Sequence, residues 1–180
     1  RVLSFIVSGV VGMFSFQALS LIIYAVSGRK LLAILSPSFI YTTEAVSLFS
    51  GSYYIHLMAT MHTYGMIGLS FAVLVLGLLS VGYNRLGGFL LGLAPAVHPS
   101  IGLWLILIVA FGLIWKRDEK EKIKEVVRYG ILGLFVSALS ALYQVVFVID
   151  VPTVDYAISR QYLSAFVTYW DVHRIKLSLV

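Results

Sequence analysis

The chain is 180 residues long; 60% of them are hydrophobic, only 12% are charged, and the formal net charge is +5. With a mean hydropathy of +0.97 and about half the charged fraction of a soluble domain, it has too few polar residues to cover a water-facing surface. Its basic residues sit in short groups between apolar runs and not in a stripe with interleaved aromatics, which argues against a nucleic-acid partner, and the absence of cysteine excludes disulfides, thiolate metal sites and cysteine nucleophiles.

The first element, Val2–Ser27, contains no Asp, Glu, Lys, Arg or His. A membrane helix needs roughly 20 predominantly apolar residues, because each residue rises about 1.5 Å across a hydrocarbon core about 30 Å thick. The run is too long for the apolar part of a cleaved signal and lacks its flanks. Arg29 and Lys30 close it. Leu31–Phe49, with Pro37 and Glu44, reads either as a return crossing or as a helix lying in the interface; the parity of the later loops favours crossing.

The loop Gly51–Tyr64 carries His56 and His62, surrounded by Tyr53, Tyr54, Tyr64, Met58, Met61 and Met66. Six positions separate the two histidines, about 120° apart on a helix, unlike the i, i+4 pair of a helical zinc site. An interfacial aromatic belt is the competing reading. Gly65–Tyr83 is the next apolar run and ends at Arg85.

Leu86–Trp115 has basic residues at both ends, so by the positive-inside rule both ends lie on the cytoplasmic side. The segment must therefore enter and turn back, at Pro95-Ala96-Val97-His98-Pro99-Ser100. Proline removes a backbone donor and disfavours helix in the residue before it, which puts the break at His98. The arms Leu86–Val97 and Ile101–Trp115 are about 12 and 15 residues, reaching roughly 18–22 Å. A broken backbone at membrane depth needs protein or a wet cavity around it, so His98-Pro99-Ser100 is expected to line a polar cavity. Gly87, Gly88, Gly92 and Gly102 are expected to let the two arms approach closely.

The run Lys116–Arg128 mixes both signs, with Asp118/Lys122 and Arg117/Glu121 at i, i+4 spacing, and reads as a solvated helix extension. Tyr129–Ile149 crosses again and leaves Asp150–Val180 outside. The fold class that follows is all-α: a polytopic integral membrane bundle of about six segments, including the short broken hairpin over 86–115. The chain, 1–180, is expected to be a single transmembrane domain and, since it begins with Arg1, a fragment of a longer one. The expected location is a bacterial inner membrane, with membrane lipids as partners.

Under this topology His56, His62, His98, His173, Asp171, Arg160 and Arg174 collect on the external face. Ionisable groups near membrane depth are costly and mark sites. His98 reads as a ligand for an anionic head group, as a general base, or as a histidine capping a helix at a proline turn. Tyr169-Trp170-Asp171-Val172-His173-Arg174 is the densest polar cluster. In an extended segment Asp171 and His173 share a face, and a guanidinium matches phosphate. A collar of Trp, Tyr and Arg at headgroup depth is its plainer reading. The candidates are thus His98, Asp171 and His173 for catalysis, and Arg174, Arg160, His56, His62 and Glu44 for substrate. No motif names a cofactor.

The stretch Arg85-Leu86-Gly87-Gly88-Phe89-Leu90-Leu91-Gly92-Leu93-Ala94-Pro95-Ala96-Val97-His98-Pro99-Ser100-Ile101-Gly102-Leu103-Trp104 resembles segments of bacterial multi-spanning proteins of the GT-C class of membrane glycosyltransferases. The resemblance covers Tyr64–Trp115. It implies a polyprenyl-phosphate-linked sugar as substrate, and His98 and Arg174 facing a lipid phosphate. GT-C enzymes also use an acidic residue in the first external loop, sometimes with a metal. No acidic pair flanks Val2–Ser27 here, so no catalytic residue carries over. The alternatives are a transporter or channel subunit with its site at the broken helix, a metal-dependent hydrolase using His98, His173 and Asp171, and a non-catalytic assembly subunit.

Overall fold

The computed structural model describes residues 2–42, 64–116, 118–148 and 155–165, and all regular structure among them is helical. Contacts divide the chain into two units, Arg1–Tyr143 and Gln144–Val180. The first holds α1 (Val2–Ser27), α2 (Lys30–Thr42), α3 (Tyr64–Ser80), α4 (Asn84–Val97), α5 (Pro99–Trp115) and α6 (Lys120–Tyr143). The second holds a π-helical turn, Gln144–Val148, and α7 (Tyr156–Ala165), which Asp155 caps by accepting the Ala157 N–H at 2.8 Å.

The helices stop where glycine or proline makes them stop. Gly28 closes α1 at φ +67°, its N–H bonded to the Tyr24 carbonyl at 2.8 Å. Gly82, at φ +87°, ends α3 in a paired cap: Tyr83 N–H reaches Leu78 O at 3.0 Å and Gly82 N–H reaches Leu79 O at 3.2 Å. Both glycines adopt a left-handed conformation that side chains disfavour. Pro99 begins α5, where a missing N–H costs nothing.

Between the helices lie small residues and a core that includes Met66, Phe71, Leu74, Leu78, Leu91 and Leu105, while many other large apolar side chains point away. α1 lays Val11, Ser15 and Ala18 on α3, with the Ser15 and Ser70 hydroxyls 2.9 Å apart and buried, and Gly77 against the Ala18 carbonyl. Ser15 also lies 3.0 Å from the Val11 carbonyl, to which it can donate. The closest approach joins α4 and α6, which run parallel. A methyl group on Gly92 would collide with the Gly130 carbonyl, one on Gly133 with the Phe89 carbonyl, and one on Gly88 would stand 2.6 Å from the Val126 carbonyl. Backbone meets backbone there, the small-residue packing that helices use where lipid removes any hydrophobic drive between them. Meanwhile Leu103, Trp104, Leu107, Ile108 and Phe111 of α5, and Ile131, Leu132 and Phe135 of α6, stay exposed, Phe111 at 69%.

α4 and α5 form the expected hairpin, extended to 14 and 17 residues and broken at His98. α5 packs on α3 and α4, and α2 packs on α1. Since α3 and α1 run parallel, Arg29 and Lys30 stand at the same end of the unit as Arg85, Lys116 and Lys122. His98 marks the other end, about 25 Å away along α5. Arg85 and Glu125 join α4 to α6 with an exposed ion pair at 3.0 Å.

Three expectations need correction. Among the described residues two stretches, Gly9–Ser27 and Lys120–Phe147, are long and apolar enough to cross a membrane, whereas Lys30–Phe39, Tyr64–Ser80 and Pro99–Trp115 are apolar but shorter; the expected bundle of about six spans outruns that. Of the hairpin's glycines only Gly102 joins the two arms, against Ala94 and Pro95; Gly88 and Gly92 serve α6, and Gly87 admits the Leu79 side chain. Finally, Lys122 pairs with Glu119 at 2.8 Å in place of Asp118, because Glu119 stands at the mouth of α6, one turn before it.

The glycine interface makes a direct prediction. Gly92→Ala should lower the stability of the detergent-solubilised protein by about 1–3 kcal/mol through overpacking, although alanine favours helix. Gly112→Ala, which meets nothing within 4 Å, should be neutral or stabilising by up to about 1 kcal/mol. Thermal unfolding of the two variants side by side decides it.

Candidate functional site

The break between α4 and α5 is built by one residue. His98 is extended, at φ −152° and ψ 106°, as a residue before proline prefers. Its N–H closes the last turn of α4 on the Ala94 carbonyl at 2.9 Å, and its carbonyl accepts the first bond of α5, from Gly102 at 2.8 Å. Its ring Nδ1 accepts the Ile101 N–H at 3.3 Å, satisfying a free donor of the first turn of α5. Three of the polar backbone groups at the turn are thus satisfied by His98 and its neighbours.

The ring itself is held from two sides. Tyr64, at the start of α3, stacks on it with centroids 4.3 Å apart and planes 22° from parallel. Gly68, one turn along, lets it close on the helix: a Cβ there would stand 2.6 Å from the His98 Cβ. Tyr64 and Gly68 share a helix face by their i, i+4 spacing, a signal present in the sequence that the aromatic-belt reading of Tyr64 hides.

This setting narrows what His98 can do. An Nδ1 that accepts a hydrogen bond carries no proton, so in the neutral ring the proton resides on Nε2. His98 then offers an Nε2–H donor and not a free base nitrogen. It is a half-buried residue beside the exposed Pro99 and Ser100. Of its three sequence readings, the capping role is what the geometry displays, the general-base role conflicts with the cap, and the head-group role is compatible with it.

Of the other candidates only Arg160 lies among the described residues. Arg160 is exposed on α7 in the second unit. Glu44, His56, His62, Asp171, His173 and Arg174 lie outside the described residues. Among the described residues no group of three or more His, Asp or Glu stands together as metal ligands would.

A second polar group lies at the opposite end of the unit, where the sequence suggests only a solvated helix extension. Glu119 accepts from Lys122 at 2.8 Å and faces Lys116 at 3.8 Å. The Lys122 hydrogen bond and charge hold the Glu119 carboxyl below its usual range, Lys116 adding to the effect. These three residues rim a cleft of about 620 Å³ between α3, α5 and α6.

No protein family, no curated protein and no solved structure matches the chain.

Because the His98 ring caps α5, His98→Ala should cost about 1 kcal/mol of stability. His98→Asn keeps a capping acceptor and should unfold close to the wild-type temperature. Thermal unfolding of both in the same detergent checks this; equal losses would show that the ring stack on Tyr64, and not the cap, holds the turn.

Proposed function

We propose that this chain is a multi-pass helical bundle of a membrane, and that it acts as a glycosyltransferase-like protein on a polyprenyl-phosphate-linked sugar at the end bearing His98. The observation that carries the membrane reading is the extent of exposed apolar surface. Glycines bring α4 and α6 into backbone contact and Phe71, Leu74, Leu78, Leu91 and Leu105 form a core, yet far more Leu, Ile, Phe and Trp side chains face outward. In water that arrangement exposes an apolar surface far larger than soluble proteins carry. In lipid it is the expected one.

The shorter helices fit this reading. α3 and α5 each have 17 residues, the lower limit for a crossing, and a short span is accommodated by local thinning. The lysine-bearing end then faces the cytoplasm and the His98 end the outside of a bacterial inner membrane. There a lipid phosphate meets the Nε2–H of His98 and the Ser100 hydroxyl, at a helix start whose dipole favours an anion. Asp171, His173 and Arg174 remain the candidates to join it. The transport reading has less in its favour, since it calls for paired broken helices in two related halves.

Native mass spectrometry of gently released protein tests the proposal. The wild type should retain a polyprenyl phosphate or its sugar adduct, and His98→Asn, which keeps the cap, should lose it about tenfold, the weight of one charge-assisted hydrogen bond. Equal retention by the variant, or no such lipid on the wild type, would sink the assignment of His98 to a phosphate. A stoichiometric divalent metal without lipid would instead favour the hydrolase.

A further inference from the structure

We infer that the cleft at the lysine-bearing end is a binding site for one anionic phospholipid, its acyl chain lying between α5 and α6 and its phosphate between Lys116 and Lys122. The inference rests on the membrane reading of the chain and not on the transferase reading.

The cleft lies where the short link 116–119 joins the end of α5 to the start of α6, beside the end of α3. α6 is drawn onto α4 by the glycine contacts at Gly88, Gly92 and Gly133, while α5 is drawn by Gly102 to the other end of α4. The cleft measures about 620 Å³. Leu79 from α3, Val109 and Leu113 from α5, and Val126 from α6 form its walls. Its depth is therefore apolar, and wide enough for hydrocarbon.

Its mouth is different. Lys116 closes α5 and Lys122 stands in the first turn of α6, and both ammonium groups reach the single Glu119 between them, at 3.8 and 2.8 Å. One carboxylate against two ammonium groups leaves a net positive charge at the rim. An ammonium group carries three donors, and a carboxylate leaves some of them free. Asn84, at the start of α4, adds a carboxamide to the same mouth. A single negative phosphate balances this rim, and the apolar walls below it suit the chain of the same molecule. Basic pockets between membrane helices on the cytoplasmic side bind lipid head groups in this way. Free phosphate would leave the apolar walls uncovered, so the lipid is the occupant that matches both halves of the cleft.

The test places the full chain in nanodiscs made from an equimolar mixture of phosphatidylglycerol and phosphatidylcholine, then counts the lipids that remain on the protein by native mass spectrometry. Phosphatidylglycerol should be retained over phosphatidylcholine. The paired change Lys116→Gln and Lys122→Gln should erode that preference by about fivefold per lysine. Lys124→Gln removes the same charge from a position outside the cleft and should leave the preference unchanged. The substituted lysines are exposed, and exposed ion pairs add little to stability, so the variants should fold. Leu113→Trp, which fills the cleft, should lose the retained lipid while Lys116 and Lys122 stay in place. Equal retention of the two lipids, or an equal effect of Lys124→Gln, would overturn the site while leaving the membrane reading intact. Failure of the chain to enter nanodiscs at all would overturn both.

Discussion

The contact on which the rest of the first unit depends is the approach of the α4 backbone to that of α6. Gly88, Gly92, Gly130 and Gly133 strip that interface of side chains until carbonyl oxygens face α-carbons. Such contacts gain dispersion and weak Cα–H···O interactions at every turn, and glycine loses no rotamer freedom in making them. The approach has consequences on both sides. It fixes the level of Lys120–Arg128 relative to Arg85, so that Arg85 meets Glu125. It also sets the start of α6 beside the end of α5, where the two line the cleft at the lysine-bearing end.

The turn at His98 is the second constraint, and it follows from chemistry within four residues. Pro99 forbids helix at His98, and the extended His98 then presents its ring nitrogen to the first turn of α5. Three of the polar backbone groups at the bend are satisfied within the chain. One residue thus ends one helix and starts the next.

Much of the fold is legible in the residues. The uncharged run from Val2 to Ser27 coincides with α1 at both ends, and the proline pair around His98 marks the hairpin turn. These signals are local: an unbroken apolar run and a missing N–H. The partner of each glycine is not local, since Gly88 and Gly92 look the same whether they face α5 or α6. The same holds for the charge run at 116–128. Spacing along one helix suggests Asp118 for Lys122, but the geometry of the helix start brings Glu119. The cleft beside them is lined by three helices, an arrangement that no single segment encodes. Of the candidate site residues, His98 is legible from proline chemistry alone. Whether Arg160 or the cluster Asp171-His173-Arg174 meets it depends on tertiary arrangement, and spacing in a sequence says nothing of that.

The central claim is that α5 crosses a bilayer, with His98 and the lysines on opposite sides. The chain has no cysteine, so single cysteines can be introduced without background. Ser100→Cys and Lys120→Cys, each in sealed right-side-out vesicles, would be treated with a membrane-impermeant thiol reagent. The account predicts that the first reacts from outside and the second only after the vesicles are opened. Labelling of both from outside, or protection of both, would contradict it.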